Sequence, residues 1–337
     1  MSDAGRREPL RRLLTRPEVS IVVVTVLAAL YFSVATDRFA SHANVVTLLP
    51  FFAPFAILAV GEVMLMASGE IDLSIGSVGL FAPFMVYEFD QAGLPLVACL
   101  VLALACCAVV GLVNGVFSQL LGVSSFITTL GTLLGLGGLT LVISGAAPVA
   151  MPGAEVTTSA SGGTSIGTFA TIFGGGTYSE LLWALAIVAG VQVLLSATRW
   201  GRYTLAIGGN RLAAAQVGID VRLVVIRNFV LCSVLAGFVG VLEAVRTCTV
   251  TPDTAGASET MFRALSAAVI GGTLLAGGTG TAIGALFGAL FLGILRDGLT
   301  LEGIDAEYLD LILGVAILLA MVISVHVARL RTGRLRA

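Results

Sequence analysis

TRWGRYTLAIGGNRLAAAQVGIDVRLVVIRN, residues Thr198 to Asn228, is a basic segment between two long apolar runs. Arginine-rich loops of membrane proteins stay on the cytoplasmic side, so this segment serves as the reference point for the topology of the whole chain. Its five arginines are Arg199, Arg202, Arg211, Arg222 and Arg227.

The middle of this segment predicts a short helix with a defined beginning and end. Gly208 and Gly209 interrupt the chain, and the side chain of Asn210 can accept a hydrogen bond from an amide two or three residues further on. Leu212–Val217 favours helix, and Gly218 suits the left-handed turn that ends one. A plain connector between two spans needs no such helix, so we expect another protein to bind it.

The composition indicates that the chain lies in a lipid bilayer. Of its 337 residues, 57% are hydrophobic and 11% are charged, and the mean hydropathy is +1.03. A soluble domain carries about 25% charged residues, so this chain could not cover its surface in water. All 18 basic residues are arginines, and a P-loop needs a lysine, so the chain is not itself a Walker-type ATPase.

The reactive side chains give no sign of an enzyme. The only histidines are His42 and His326, and each lies near a predicted membrane edge. Neither is placed to act as the base of a Ser–His catalytic centre. The five cysteines lack metal-ligand spacing with a histidine, so we expect buried structural thiols. We predict no catalytic residue, no metal site and no cofactor. The cysteines are Cys99, Cys106, Cys107, Cys232 and Cys248.

The apolar runs predict ten membrane-spanning helices, several of them shorter than the ~20 residues of a full crossing. Between the fifth and sixth runs, Gly145–Glu180 is rich in Gly, Ser and Thr, so it is predicted to be an outer loop. The predicted spans are Val19–Val34, Asn44–Met66, Ser74–Tyr87, Leu94–Ser118, Ser124–Ser144, Leu181–Ala197, Leu223–Thr247, Met261–Ala276, Thr281–Leu295 and Tyr308–Val327.

The arginines set the orientation of these spans. The N-terminal tail, the basic segment and the C-terminal tail hold five, five and four of the 18 arginines. Ten spans put all three on one side, which is the cytoplasm by the positive-inside rule. We therefore predict a cytoplasmic basic tail at 1–18, a single transmembrane domain at 19–327 with an outer loop at 145–180 and a cytoplasmic loop at 198–228, and a cytoplasmic basic tail at 328–337.

Two acidic positions carry alternative interpretations, and a third predicts an ion pair. Glu62 lies inside the second predicted span, where it either serves a pathway or simply hydrogen-bonds within the bundle. Asp72 either caps the third span, by accepting from the amide of Ile75 or Gly76, or shapes a break in a pathway wall. Glu243 is three residues from Arg246 on one helix face, which predicts a local ion pair.

Two further patterns concern helix packing. The glycine-dense run Ile270–Gly280 is flanked by membrane helices, so it predicts close helix approach and a tight inside turn rather than a phosphate-binding loop. Asn114-Gly115 after the fourth span resembles Asp297-Gly298 after the ninth. Copies five spans apart face opposite sides, which indicates an inverted repeat of the kind found in transporters, with chance as the alternative.

Four motifs follow one another in a fixed order along the chain. They are GEIDLSIGS at Gly69–Ser77, SSFITTLGTL at Ser124–Leu133, AIGGNRLAAAQVGI at Ala206–Ile219 and VIGGTLLAGGTGTAIGA at Val269–Ala285. Together they resemble the permease subunits of bacterial ATP-binding-cassette (ABC) importers for simple sugars, of the ribose, xylose and galactose type. The resemblance runs from about Asn44 to Val327.

The resemblance implies an all-α integral membrane protein with about ten helices, similar to type II ABC importer permeases. It also implies a multi-pass protein of the bacterial cytoplasmic (inner) membrane that pairs with a second permease copy or a paralogue. Two ATPase subunits, which bind ATP and Mg²⁺, would dock inside, and an extracytoplasmic sugar-binding protein would dock outside. No nucleic acid is implied as a partner. The residues implied to couple the chain to the ATPase are Gly208, Gly209, Asn210, Arg211, Ala213, Ala214, Gly218 and Ile219.

The chain departs from the family pattern at two positions, which leaves the substrate open. Glu70 stands where relatives have a second glycine, and Glu62 stands where they have an uncharged residue. The alternatives are an ion-coupled secondary transporter, an ABC permease for nucleosides or branched-chain amino acids, and a non-transporting scaffold. The candidate pathway residues are Glu62, Asp72, Ser74, Asn114, Phe126 and Thr128.

Overall fold

Long α-helices make up most of the computed structural model, which describes residues 17–158, 164–305, 307–309, 311–319 and 322. This described part holds seven helices that are long and apolar enough to cross a membrane, so the chain is a multi-pass membrane protein. Most of the predicted N-terminal tail, the predicted C-terminal tail and part of the predicted tenth span lie outside the described residues.

The helices follow the predicted apolar runs closely. The seven that are long and apolar enough to cross a membrane are α1, α2, α4, α5, α7, α10 and α12. The helices are α1 Pro17–Ala35, α2 His42–Ala67, α3 Ile75–Gln91, α4 Leu96–Gln119, α5 Ser125–Ser144, α6 Thr168–Ile172, α7 Ser179–Ala197, α8 Arg199–Gly209, α9 Arg211–Gln216, α10 Val221–Thr247, α11 Thr254–Ile270 and α12 Ala282–Leu301.

The predicted position of the eighth span, Met261–Ala276, was wrong. Helix α11 begins seven residues earlier, at Thr254, and ends at Ile270. The Oδ1 atom of Asp253 accepts hydrogen bonds from the amides of Ala255 and Gly256, both at 3.0 Å, and this cap starts the helix. The first residues of α11 are small rather than strongly apolar, so a count of apolar residues places the start too late.

The outer segment after α5 is joined to the end of α10. Strand β1 (Val149–Ala150) pairs antiparallel with β4 (Thr249–Val250), and β2 (Val156–Thr158) pairs antiparallel with β3 (Thr164–Ile166). Helix α6 follows these strands and leads into α7. The described part of this segment is therefore folded as short strands and one short helix, in keeping with its polar composition.

Helices α2 and α10 lie at the centre of the bundle. Helix α10 packs against α4, α3 and α2, whereas α2 also packs against α12, α11 and α7. Small residues let these backbones touch: a Cβ on Gly240 would overlap the Gly79 carbonyl, and a Cβ on Gly76 would overlap that of Ala257. Such close approach stabilises helix association in lipid, where apolar burial supplies little driving force.

Candidate functional site

The basic segment folds into two helices rather than one. The predicted capped helix is confirmed as α9: the side chain of Asn210 accepts from the Ala213 amide at 3.0 Å, and Gly218 adopts a left-handed φ of 86°. It begins at Arg211, one residue earlier than predicted. The preceding helix α8, whose first turn is capped by Thr198, was not predicted.

Helix α9 presents apolar side chains to its surroundings. Leu212 is 71% exposed and Val217 is 77% exposed, while Ala214 is buried against the bundle. Large apolar side chains exposed on a short, capped helix are typical of a surface that another protein covers. The helix therefore has one face fixed to this chain and another face available to a partner.

Gly208 lies where three glycine-containing segments meet. A Cβ on Gly208 would overlap both the Ala67 carbonyl and the Gly278 amide, so only glycine fits there. The Gly278 amide donates a hydrogen bond to the Ala67 carbonyl at 3.0 Å. The predicted tight turn in the glycine-dense run is confirmed, because residues 271–281 reverse the chain between α11 and α12. The end of α8 is thus seated against the end of α2 and that turn.

An ionic contact holds the beginning of α9. Arg211 Nη1 lies 2.8 Å from Glu70 Oε1, and the other guanidinium nitrogen of Arg211 donates to the side-chain oxygen of Gln119. Gln119 also donates from Nε2 to Glu70 Oε1 at 3.0 Å. Because Glu70 follows α2 and Gln119 is the last residue of α4, this cluster ties α9 to two membrane helices.

Asn228 forms a second connection, deeper in the protein. It is fully buried on α10, and its Oδ1 accepts from Trp200 Nε1 of α8 at 2.7 Å. Its Nδ2 donates to the Met64 carbonyl of α2 at 3.0 Å. One amide therefore links α8, α10 and α2, so a displacement of α8 has to act on both membrane helices.

Four of the six candidate pathway residues lie buried within the helix bundle, and three of these form one hydrogen-bonded chain. Asp72 Oδ1 accepts from the backbone amide of Ser74 at 2.8 Å and from its hydroxyl at 2.5 Å. Asn114 donates to Ser74 Oγ at 2.9 Å. The predicted Asp72 cap on the amides of Ile75 or Gly76 was wrong, because Asp72 Oδ1 accepts from the amide and hydroxyl of Ser74 instead.

The carboxyl groups of this region are shielded from water. Asp72 lies in the turn between α2 and α3, where burial raises the pKa of its carboxyl to about 6. Glu62 is fully buried on α2, and its Oε1 accepts from Cys232 Sγ at 3.7 Å. Neither Glu62 Oε2 nor Asp72 Oδ2 has a hydrogen-bond partner among the described residues.

The remaining two pathway candidates lie on α5, which contacts this group through the Thr132 hydroxyl, a donor to Asn114 Oδ1 at 2.6 Å. Phe126 is 54% exposed, so its ring lies on the outside of the helix bundle. Thr128 is partly buried, and its hydroxyl has no hydrogen-bond partner in the part of the chain that the structure describes. The structure therefore brings Asp72, Ser74 and Asn114 together, with Glu62 close by, but not Phe126 or Thr128.

A cavity of about 710 Å³ lies between α2, α3, α10 and α11, and it contains none of those six residues. Charged side chains line two of its walls. The predicted Glu243–Arg246 pair is confirmed at 2.5 Å, and Arg263 forms an ion pair with Glu259 on α11. The guanidinium carbon of Arg263 also lies 5.7 Å from the ring centre of Phe55.

Sequence reasoning missed several of these residues. Asn228 is a polar residue inside an apolar run, the same signal that singled out Glu62, so it could have been found. Gln119, Phe55 and Glu259 gave no such signal, because their roles depend on residues far away in the chain. Trp200 likewise gains its partner only in the folded protein.

The thiols and carboxylates do not assemble into a metal site within the described residues. No group of three or more His, Cys, Asp or Glu side chains there could hold a metal ion. Cys99, Cys107 and Cys232 are buried, whereas Cys106 and Cys248 are partly buried. These five thiols are unpaired in the described structure and act as packing residues.

Comparison with known protein families finds one family whose model matches this chain. Residues 44–321 match the model of a family described as "Branched-chain amino acid transport system / permease component". The match runs from the third residue of α2 through the end of α12. No solved structure matches the chain.

Individual relatives are similar over nearly their whole length. The xylose/arabinose import permease protein of Sulfolobus acidocaldarius is 33% identical over 94% of this chain and 87% of its own length. The ribose import permease protein of Escherichia coli is 33% identical over 95% of this chain and 97% of its own. The galactose/methyl galactoside import permease protein of Escherichia coli is 31% identical over 91% and 93%.

Proposed function

Because the chain belongs to the family of branched-chain amino acid transport system permease components, we propose that it is the membrane subunit of an ATP-driven importer for a simple sugar. The named relatives import ribose, xylose or arabinose, and galactose, which supports a monosaccharide as the solute. ATP and Mg²⁺ are bound by a separate ATPase chain, and this chain forms the translocation pathway.

The observation that carries this proposal is the seating of α9. The helix is capped at Asn210, ended at Gly218 and anchored through Arg211, yet Leu212 and Val217 remain exposed. A short, fixed helix with two exposed apolar side chains suits a groove on an ATPase. The coupling residues are Gly208, Gly209, Asn210, Arg211, Ala213, Ala214, Gly218 and Ile219.

The mechanism we infer is alternating access driven by rigid-body movement. ATP binding closes the two ATPase subunits, and α9 follows as a rigid body together with α8. The contacts of Arg211 with Glu70 and Gln119 pass this movement to α2 and α4, and Asn228 passes it to α10. The inner ends of three membrane helices then shift together, and access changes from one side to the other.

The wider architecture belongs to the same proposal. The permease domain runs from 19 to 327, with ten spans, an inverted repeat and both termini in the cytoplasm, and it pairs with a second copy or a paralogue. An extracytoplasmic sugar-binding protein docks on the outer face near 145–180. Glu62, Asp72, Ser74, Asn114, Phe126 and Thr128 remain pathway candidates.

The test replaces Gly209-Asn210-Arg211 with a flexible Gly/Ser segment in the reconstituted transporter. We expect the ATPase to lose its stimulation by the sugar-loaded binding protein, because a flexible link cannot transmit rigid-body movement. The same replacement of Glu302-Gly303-Ile304, in the turn that follows α12, is the control, and it should retain stimulation. Stimulation that survives in the first variant would remove the coupling role.

Measurements of solute uptake by the reconstituted protein test two other functions, which are amino acid import and ion-coupled transport. The family description favours a branched-chain amino acid as the solute, so uptake of L-leucine is measured beside uptake of D-ribose, D-xylose and D-galactose. The buried, unpaired Oε2 of Glu62 among the described residues favours ion coupling. Accumulation of solute by this chain alone, driven by a sodium or proton gradient without nucleotide, would overturn the ATP-driven proposal.

A further inference from the structure

The cavity between α2, α3, α10 and α11 offers the combination of groups that a sugar needs. Its volume of about 710 Å³ falls within the range of about 300–1,000 Å³ for small-molecule sites. One wall is aromatic, because Phe51 and Phe55 of α2 both border it. Hydroxyl groups such as that of Thr260 and the charged groups of α10 and α11 supply donors and acceptors around it.

The charges around the cavity are paired with one another, apart from Asp253, whose Oδ1 accepts from the amides of Ala255 and Gly256. Glu259 Oε1 is shared by Arg263 and by Arg296 of α12, whose Nη1 lies 3.7 Å away. On the other wall, Arg246 pairs with Glu243 at 2.5 Å and with Glu180 at 3.1 Å. A zwitterionic amino acid needs unpaired partners for both of its charges, whereas a neutral polyol can add hydrogen bonds to charged pairs that stay intact.

The aromatic wall and the paired charges meet at one place. Arg263 extends over the ring of Phe55, and Glu259 holds the guanidinium from the same helix, four residues before it. A sugar that rests its apolar face on the part of the Phe55 ring that Arg263 does not cover would have its hydroxyls beside the carboxylate of Glu259 and the guanidinium of Arg263. Glu259 is 52% exposed, so its second oxygen is open to a ligand.

From this arrangement we propose that the cavity is a binding site for the transported monosaccharide, with Phe55 as its stacking surface and the Glu259–Arg263 pair as its hydrogen-bonding group. The inference rests on the proposed function and names the part of the chain that the sugar contacts. It places sugar contact apart from the buried group of Glu62, Asp72, Ser74 and Asn114.

The direct test is protection of an engineered thiol. Thr260→Cys, which lines the cavity, is introduced into a variant whose five native cysteines are replaced, and the purified permease–ATPase complex is treated with a water-soluble thiol reagent. No binding protein and no nucleotide are present. D-ribose, D-xylose and D-galactose are the probes, and L-leucine is the comparison ligand. Thr254→Cys, exposed at the start of α11 and outside the cavity lining, is the matched control.

We expect at least one of the sugars to slow labelling of Thr260→Cys by a factor of about five when it is present at about four times its dissociation constant. Labelling of Thr254→Cys should not change. Protection by L-leucine alone, or equal protection at both positions, overturns the proposal. Labelling of Thr260→Cys that no sugar slows at any soluble concentration overturns it as well.

A second measurement separates this inference from the proposed function. In the complete transporter, Phe55→Ala and Glu259→Gln should each lower sugar uptake about tenfold while the loaded binding protein still stimulates the ATPase. Phe262→Ala, on the exposed side of α11 and outside the cavity lining, should leave uptake unchanged. ATP-driven sugar uptake that is unaffected by both cavity variants would remove the site and leave the importer function standing.

Discussion

Arg211 Nη1 and Glu70 Oε1 lie 2.8 Å apart, although 141 positions separate the two residues in the chain. The pair joins the first residue of α9 to the turn that follows α2. Glu70 stands where the resemblance to sugar permeases predicts a second glycine, and a glycine there would have no side chain to pair with Arg211. The departure therefore concerns the connection to α9 rather than the sugar.

The ion pair predicts the effect of removing either charge. Glu70→Gln or Arg211→Gln should each reduce stimulation of the ATPase by roughly two- to fivefold, because a half-exposed ion pair contributes at most about 1 kcal/mol. The thermal unfolding midpoint of the permease should change little. Exchange of the two charges, Glu70→Arg with Arg211→Glu, should restore stimulation, since Gln119 can either donate or accept.

Arg222→Gln is the control for this experiment. Arg222 is an exposed arginine of the same basic segment and makes no ion pair within the described structure. It should leave stimulation unchanged. A charge exchange that is as defective as either single variant would contradict the role of the pair.

Gly208 and Gly209 are adjacent but have different surroundings. Gly208→Ala would place a Cβ against the backbone of Ala67 and Gly278, which cannot move aside. We expect a loss of stability of about 1–3 kcal/mol or more, as for other overpacked sites, together with loss of coupling. Nothing lies within 4 Å of a Cβ on Gly209, so Gly209→Ala should be neutral or stabilise α8 by up to about 1 kcal/mol.

Thermal unfolding in detergent and ATPase stimulation are measured on both glycine variants. Because the two substitutions are chemically identical and one residue apart, any general effect of alanine on α8 is the same in both. Equal stability of the two proteins would mean that the end of α8 is not seated against α2.

Asn228 predicts a graded loss of stability. Asn228→Leu leaves Trp200 Nε1 without its partner and the Met64 carbonyl with only a 3.4 Å hydrogen bond from the Ser68 hydroxyl, and an unpaired buried group costs about 1–3 kcal/mol. Trp200→Phe removes only one of these bonds, so it should lower the thermal unfolding midpoint less. Ser196→Ala, at an exposed position on α7, is the control and should behave like the unsubstituted protein. An Asn228→Leu protein as stable as the unsubstituted one would refute the link.

Asp72 predicts an unusual dependence on pH. Burial raises the pKa of its carboxyl from 3.8 to about 6, so the folded protein binds more protons than the unfolded chain between these values. Stability contributed by this group is therefore highest at low pH and falls as the pH rises from about 4 to about 6. This direction is opposite to that of a salt-bridged carboxylate.

The variant Asp72→Asn isolates this contribution. Its amide oxygen can still accept from Ser74, and it carries no charge to bury. We expect the variant to be more stable than the unsubstituted protein by about 1–3 kcal/mol at pH 7, with the difference vanishing near pH 4. Thermal unfolding of both proteins across this range is the measurement, and a difference that grows toward low pH would contradict the assignment.

Structural features that depend on neighbouring residues could be predicted from the sequence, whereas contacts between distant residues could not. The cap at Asn210 and the turn at Gly218 depend on neighbouring residues, so the sequence indicated α9 almost to the residue. Helix α8 was missed because its sequence, with three glycines and two aromatic residues over Trp200–Gly209, has weak helix propensity, and packing of buried Thr204 and Ile207 stabilises it instead.

In the candidate site, too, some residues could be predicted from their own segment and others could not. Glu62 is an ionisable residue in an apolar run, which indicates a buried position. Its partner Cys232 could not be predicted, because it lies 170 positions away in the chain. The cavity of Phe55 and Glu259 escaped prediction because each residue is ordinary in its own segment. Only the crossing of α2 with α11 makes a ring and a carboxylate neighbours.

The pairing of β1 with β4 has a mechanical consequence. Thr249 and Val250 form part of the cavity wall, and their backbone partners Ala150 and Val149 belong to the outer segment. A force on that segment is thus passed through two pairs of strand residues to the wall of the cavity. A partner that binds the segment after α5 would therefore also act on the shape of the cavity.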